Sequence, residues 1–396
     1  VNIYQEIEQE LFNILDYWEN NAVDKAHGGF YGRRNQQNEL IQNAVKGSVL
    51  NSRILWTFSA AFKYTGAQKH LLLAERAYAY IRDYFYDTVY GGVYWTVDYA
   101  GNPLDTKKQT YALSFAVYGL SEYYSVSQNE EALQLAIRIF ETIEAHCFDT
   151  ENGGYFEAFG RDWSEIPDLR LSDKDANEKK TMNTHLHILE AYTNLYRYWK
   201  SDRLKNQLKG LLQVFEGHII HPETFHLNLF MDEKWRYKEH IISYGHDIEA
   251  SWLLQEAAEV SGEQGNMETV MKLASAAREG LLADGSLMYE KNLSVGHQIK
   301  EKHWWVQAEA MVGFYNAFQH TKDESYYNTF QQVWAFIKAH ILDRKNGEWL
   351  WGVDAQNKPL PNEDKLGLWK CPYHNVRACL EILRRNSDSA TEQFRY

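Results

Sequence analysis

Five residues in this chain combine types and positions suited to moving a proton near neutral pH: Arg53, His187, His246, Glu249 and His374. Histidine can hold either protonation state around pH 7, so a pair of imidazoles can take a proton and return one. Glu249 stands three residues after His246. At helical spacing its carboxylate can touch the imidazole and set its tautomer. Arg53, in Leu50-Asn51-Ser52-Arg53-Ile54-Leu55-Trp56, would put a fixed cation where an oxyanion develops. Any one of these histidines is more often structural than catalytic, and Arg53 alone reads equally as half of an internal ion pair. Their common depth near the start of different helices gives the set its weight.

Spacing refines the choice. Asn183 and His187 are i, i+4 and share a helix face, whereas His185 points elsewhere and reads as a hydrogen-bonded core residue. Trp305 and Glu309 share a face likewise, and Trp304 opens the same helix. His374 follows Pro372 by two residues, so it sits in a first helical turn, where the positive end of the helix disfavours the imidazolium. His246 is similarly placed behind Ser243, a predicted N-cap. His27, His70, His218, His221 and His340 fall in outer helices or rim loops and are expected at the surface. Zinc or manganese on His187, His246, His374 and Glu249 is the rival reading, weakened by the lack of any HExxH- or CxxC-type local clamp.

These residues need a scaffold, and the sequence carries one as a repeat. A glycine turn followed by aromatics occurs at Gly28-Gly29-Phe30-Tyr31, Gly91-Gly92-Val93-Tyr94-Trp95 and Gly153-Gly154-Tyr155-Phe156. Weaker copies occur at Phe225–Met231, Gly285–Tyr289 and Gly347–Trp351. Six copies at a period of roughly 60–70 residues predict a repeat fold. A first helix follows each signature, at Ser48–Tyr64, Lys108–Tyr124, Lys180–Trp199, Ser243–Val260, His303–His320 and Pro372–Arg385. A second precedes the next signature, as at His70–Tyr86, Glu130–His146, Met267–Leu282 and Ser325–Leu342. The first set is apolar on most sides and suits an inner layer, and the second is amphipathic and suits an outer one. An all-α (α/α)6 barrel with short β-hairpin arms on one rim satisfies both, with an open superhelix as the alternative. The inner N-termini would then converge on one mouth.

Bulk properties narrow the partner. With 41 basic and 54 acidic residues the net charge is −13, which argues against nucleic acid or anionic membrane and permits a neutral small molecule. No apolar run is long enough to span a bilayer, and the start lacks the order of a secretory signal. Cys147, Cys371 and Cys379 read as reduced thiols. The expectation is a cytoplasmic chain, a single catalytic domain over residues 1–396, monomer favoured.

Taken together, Asn51-Ser52-Arg53-Ile54-Leu55-Trp56, Met182-Asn183-Thr184-His185-Leu186-His187, Ser243-Tyr244-Gly245-His246-Asp247-Ile248-Glu249-Ala250-Ser251-Trp252, Trp304-Trp305-Val306-Gln307-Ala308-Glu309 and Trp369-Lys370-Cys371-Pro372-Tyr373-His374-Asn375 resemble the N-acylglucosamine 2-epimerase superfamily, most of all its cellobiose 2-epimerase branch. The resemblance runs from Gly28 to Ile382. It implies cofactor- and metal-free proton transfer on a small-molecule sugar. His246 and His374 would be the acid/base pair, Arg53 would steady a cis-enediolate, and His187 and Glu249 would support the opened sugar and His246. Trp305 and Trp369 would stack on sugar, with Tyr111, Asn183, Trp304 and Glu309 lining the pocket. Trp235 is expected beside Trp304, Trp305 and Trp369 in an aromatic mouth, and Leu171–Lys180 as a mobile rim loop. Aldose–ketose isomerisation and epimerisation of a monosaccharide or N-acyl sugar remain open. So do glycoside hydrolysis by Glu249 and Glu309, and simple sugar binding.

Overall fold

In the computed structural model, which describes residues 2–393, helices alternate along the chain between two layers. They are α1 (Ile3–Asn21), α2 (Ser48–Thr65), α3 (Gln68–Tyr80), α4 (Thr110–Ser127), α5 (Glu130–His146), α6 (Met182–Tyr198), α7 (Asp202–Val214), α8 (Tyr244–Ser261), α9 (Met267–Ala277), α10 (Trp304–Thr321), α11 (Glu324–Phe336) and α12 (Tyr373–Gln393). The even-numbered helices form the inner ring, each packed on the next, and α12 returns to α2. This is a closed (α/α)6 barrel, so the open superhelix is set aside. None of the helices among the described residues is long and apolar enough to cross a membrane.

Local sequence explains the layering. In α2 every residue from Ser48 to Ala61 is buried, as expected for a helix with neighbours on all sides. Gly119 and Gly313 let inner helices approach closely: a Cβ at Gly119 would stand 2.6 Å from the Ser52 carbonyl oxygen, and one at Gly313 2.7 Å from that of Ile248. The outer α5 instead buries one stripe, including Leu133, Ala136, Phe140 and Ile143, and is capped by Asn129, which accepts from the Glu131 and Ala132 amides.

Six short antiparallel ladders join the units at the rim. The segment before each inner helix pairs with an arm of the next unit: Lys46–Gly47 with Thr96–Val97, Lys108–Gln109 with Ala158–Phe159, and Lys180–Thr181 with Phe230–Met231. Ile241–Ser243 pairs with Glu290–Asn292, and Lys302–His303 with Gly352–Val353. Arg34–Asn35 and Asp364–Leu366 close the circle between the first and last units. Each ladder therefore fixes where an inner helix starts.

A recurring buried ion pair locks these starts in place. Lys46, Lys108, Lys180 and Lys365 donate to Asp24, Asp87, Asp149 and Asp343 at 2.8, 2.8, 2.7 and 2.7 Å, and Lys302 stands 3.4 Å from Asp284. Each aspartate also caps the turn after an outer helix, as Asp149 does by accepting from the Glu151 and Asn152 amides. A buried charge left without its partner costs about 3–5 kcal/mol, so lysine and aspartate must come together. The fourth unit departs on both sides at once. Ile242 stands where the lysine would be, and His221 Nδ1 accepts from the Glu223 and Thr224 amides in place of the aspartate.

Several expectations are corrected. The inner helices over 110–127 and 182–198 begin two residues later than predicted, because the preceding lysine and its neighbour are drawn into the ladders. The prediction over 70–86 runs past α3 through a wider turn at Ile81–Phe85. Helices α1 and α7 were not assigned from the sequence: α1 precedes the first signature and packs on α12, and α7 lies in the longest unit. His70 is not at the surface; it is buried, with Nδ1 2.9 Å from Thr65 Oγ1. Trp235 does not belong to a mouth with the other tryptophans. It is buried in an arm, stacked on His218, with the Lys180 ammonium over its ring.

Candidate active site

The inner helices present their side chains in two tiers. Tyr111, Asn183, Trp305 and His374 are each the second residue of their helix, and His246 is the third. One turn deeper, Arg53, Phe115, His187, Glu249 and Glu309 are each the sixth residue of α2, α4, α6, α8 and α10. A pseudo-symmetric ring thus places equivalent positions at equal depth, and the sequence fills them with different chemistry.

In the upper tier, Trp305 connects the two histidines: its ring centroid lies 4.7 Å from that of His246 and 5.6 Å from that of His374. Gly245 makes this possible, since a Cβ there would stand 2.7 Å from the Trp305 ring. The His246 Nδ1 lies 2.7 Å from Ser243 Oγ. Ser243 is the residue before α8, yet its hydroxyl makes no backbone cap and serves the imidazole instead. A hydroxyl can donate or accept, so it accommodates either tautomer of His246. His374 is held differently. Its Nδ1 lies 2.7 Å from Glu309 Oε1, and an ionised carboxylate only accepts, so Nδ1 carries the hydrogen and Nε2 keeps its lone pair. Burial pushes both rings down to about 3, with each further lowered by neighbouring cations or imidazoles and only partly restored by Glu309. Both are therefore neutral near pH 7.

Arg53 in the lower tier is 3% exposed. Its Nη2 donates to the Tyr111 hydroxyl at 2.7 Å, its Nη1 approaches Cys371 Sγ at 3.5 Å, and its plane lies over Phe115 at 4.2 Å and Tyr373 at 4.9 Å. Nε has no partner. Among the described residues no carboxylate pairs with it. A buried cation held by aromatics and a phenol, with no counter-anion, is costly unless an anion arrives.

Beneath the histidines lies an ion cluster that sequence reasoning missed. Arg377, fifth in α12, donates Nη1 to Glu190 Oε2 at 2.6 Å and Nη2 to Glu249 Oε1 at 2.9 Å and Glu309 Oε1 at 2.6 Å. Tyr373 donates its hydroxyl to Glu190, and Trp252 donates to Glu309 Oε2 at 3.0 Å. His187 Nδ1 lies 3.2 Å from Glu190. The signals available in sequence were weak: Glu190 follows His187, and Arg377 follows His374, each by three residues, inside otherwise buried helices.

Glu249 does not reach His246 as predicted. It is drawn to Arg377, and its Oε2 is buried without a partner. Glu309, predicted to line the pocket, has both oxygens engaged behind His374. The two carboxylates share one guanidinium nitrogen and so do not flank an opening where a glycosidic bond could lie. Two groups, His187–Glu190–Glu249 and Glu249–Glu309–His374, have ligand atoms close enough for a cation, but Arg377 already supplies positive charge to all three of their carboxylates, and His246 is in neither.

Around the mouth, Trp369 is half-buried and touches Tyr111 and Trp95 at 5.8 Å each, while Trp304 is buried against Trp351 with Nε1 unpartnered. The Asn183 Oδ1 is also unpartnered. His185 is the core residue expected: Nδ1 lies 2.6 Å from the Thr181 carbonyl and Nε2 accepts from the Tyr155 amide at 2.9 Å. The loop expected to move is tied at its base by Asn177, which bonds the Leu169 amide and the Pro167 carbonyl. A surface hollow of about 730 Å³ lies at the rim between 165–179 and 232–238, and no histidine lines it.

Four imidazoles of the inner helices, His185, His187 and His374 buried and His246 half-buried, are shifted downward by desolvation, His185 to about 4. They stay neutral in the folded chain while their unfolded counterparts protonate below pH 6.5, so stability is full above that pH and is lost as pH falls. His226, raised by Asp247 and Glu279 against burial, works the other way. Carboxyls raised by burial, Glu157 to about 8 and Glu290 to about 7, gain stability as pH falls and oppose this loss, so the rings are best followed directly. By NMR the imidazoles of His185, His246 and His374 should not titrate between pH 8 and 6, and titration of any of them over that interval would contradict the neutral set.

Comparison with known proteins fits these observations. Residues 29–378 match the family of N-acylglucosamine 2-epimerase (GlcNAc 2-epimerase). The chain is 52% identical over 384 residues to the cellobiose 2-epimerase of Bacteroides fragilis, covering 96% of this chain and 98% of that protein. It is 41% identical over 389 residues to the cellobiose 2-epimerase of Ruminococcus albus, covering 97% and 99%. The solved structure of cellobiose 2-epimerase from Bacillus thermoamylovorans B4167 superimposes with a TM-score of 0.93 at 40% identity, covering 96% of this chain and 99% of that one.

Proposed function

The chain belongs to the N-acylglucosamine 2-epimerase family, and from that premise we propose that it interconverts glucose and mannose at the reducing end of a disaccharide such as cellobiose or lactose, with His246 and His374 passing the C2 proton. It is a carbohydrate epimerase of the isomerase class, acting on a small-molecule sugar. The same reading takes residues 1–396 as one catalytic unit, monomeric and cytoplasmic, in keeping with three buried free cysteines.

The observation that carries the mechanism is the buried Arg53 without a carboxylate partner, one turn below the buried His374 and the half-buried His246. The C2 hydrogen of an aldose is acidic only in the open-chain form, where the C1 carbonyl can accept the charge. A neutral imidazole, bonded behind by Glu309 or Ser243, takes that proton. The resulting cis-enediolate is the anion that Arg53 lacks, and preorganised charge of this kind is often the largest catalytic contribution. Inversion then requires a proton on the opposite face, delivered by the second imidazole after it has taken one from solvent; the first ring releases its own proton to solvent. Both rings are neutral beforehand, and the negative charge forming between them raises their proton affinity at the moment of need. The scheme calls for no cofactor. Trp305 and Trp369, each half-buried, offer faces for sugar stacking.

Incubation with cellobiose, lactose, N-acetylglucosamine and mannose in D2O, followed by NMR, tests the reading. Expected is the C2 epimer of the disaccharides carrying deuterium at C2. Ketose as the sole product would replace epimerase by isomerase, because the same enediolate protonated at C1 gives the ketose. An epimer without solvent deuterium would rule out exchange through the histidines.

A further inference from the structure

We propose that Arg377, which does not belong to the proton-transferring pair, is a positioning residue for it: by sharing Glu309 Oε1 with His374 it fixes that ring's orientation and its affinity for a proton. The inference rests on the two-histidine reading above and adds to it the residue that sets the state of one histidine.

The geometry is specific. One carboxylate oxygen, Glu309 Oε1, receives both the Arg377 Nη2 at 2.6 Å and the His374 Nδ1 at 2.7 Å, while Oε2 is held by Trp252 at 3.0 Å. The carboxylate therefore has no rotational freedom, and the imidazole bonded to it has little. The guanidinium is itself clamped by Glu190 and Glu249 and lies over the Tyr373 ring at 4.1 Å and the Trp252 ring at 4.8 Å. It is 2% exposed.

Charge counting says what the clamp does. Three carboxylates meet one guanidinium, so they cannot all be ionised cheaply. Burial opposes ionisation throughout. Arg377 and the neighbouring imidazoles overcome it at Glu309 and Glu190, which lie below the usual carboxylate range. Glu249 takes the remainder: burial and the Glu309 charge raise it well above that range. Glu309 thus reaches His374 as an anion, but one whose charge is half-drawn toward Arg377. Without Arg377 the full anion would face the ring and bind a proton on it too firmly to release. The groups bearing on His374 from the packed helices are Glu309 from α10, Arg53 from α2, His246 and Glu249 from α8, and Arg377 and Tyr373 from α12.

The test is the pH dependence of kcat/KM with cellobiose for the full chain, in Arg377→Met, Arg377→Lys and Glu309→Gln, folding being checked by circular dichroism. Because the two histidines titrate as a pair, both limbs of the profile belong to it. Arg377→Met should move the profile to higher pH by about one unit and lower kcat about 100-fold, with KM changed little because the side chain does not reach the mouth. Arg377→Lys, which keeps the charge and loses the fork, should restore the position of the profile and about tenfold of the rate. Glu309→Gln should move the profile the opposite way. Should Arg377→Met fail to fold, Glu309→Gln and Arg377→Lys carry the test. Lowered rates with unmoved profiles would make Arg377 a fold residue only and overturn the proposal. A fully active His374→Ala would instead overturn the two-histidine reading beneath it.

Discussion

His246→Ala and His374→Ala should each lower the rate of epimerisation by about 10³–10⁴-fold, the range expected for removing a positioned acid–base group. Neither should unfold the chain. Truncating His374 leaves Glu309 bonded to Arg377 and Trp252, and truncating His246 leaves Ser243 with a free hydroxyl at the rim, so neither change strands a buried charge. The residual chemistry is more telling than the lost turnover. Each variant retains one base, and one base on one face can take a C2 proton and return a solvent deuteron to the same face. In D2O, one variant should wash deuterium into the gluco sugar without inverting it, and the other into the manno sugar. Near-normal inversion by either variant removes that histidine from the mechanism. Exchange of the same epimer by both would mean that the two rings work on one face.

Much of this site is visible in sequence for a simple reason. Inner helices are buried all round, so Arg53, His187 and His374 stand out as polar residues where only apolar ones pack freely. Repeat symmetry then converts equal position along the helices into equal depth in the barrel, which is why residues more than 300 positions apart can be placed together before any fold is known. Spacing fails where partners compete. His246 and Glu249 lie at contact spacing, but Arg377 draws the carboxylate away with a charge, and Ser243 meets the imidazole with a hydroxyl. Ser243 looks like a helix cap because its type and position fit one, and no pattern shows that a ring nitrogen is nearer than a backbone amide. Arg377 is hardest to see. Its partners Glu190, Glu249 and Glu309 come from α6, α8 and α10, so nothing local marks it out. The lysine–aspartate pairs under the rim were missed for a related reason: lysine in a strand reads as solvated, and burial emerges only once the arm folds over it.

Arg53→Met should move activity and stability in opposite directions. The guanidinium is held by one phenol and a weak thiol contact over aromatic faces, with Nε unpartnered and no carboxylate paired to it among the described residues. Removing an uncompensated buried charge in favour of an apolar side chain of similar length should stabilise the fold by about 1–3 kcal/mol, since desolvation is no longer opposed only by weak dipoles. Phe115, Tyr373 and Tyr111 already provide a surface on which a thioether packs. The rate should fall about 10³-fold, because the enediolate would then form without its fixed cation. Arg53→Lys should fall between the two, as a point charge on a flexible stem does not span both enediolate oxygens. Urea unfolding and kcat measured on the same preparations check both halves. A less stable Arg53→Met would mean that the cation is integral to the core and that its lack of a partner has no functional meaning; an active one would mean that the anion is stabilised elsewhere. A gain in stability paired with a loss of turnover is what a residue kept for the transition state, at the expense of the resting fold, must give.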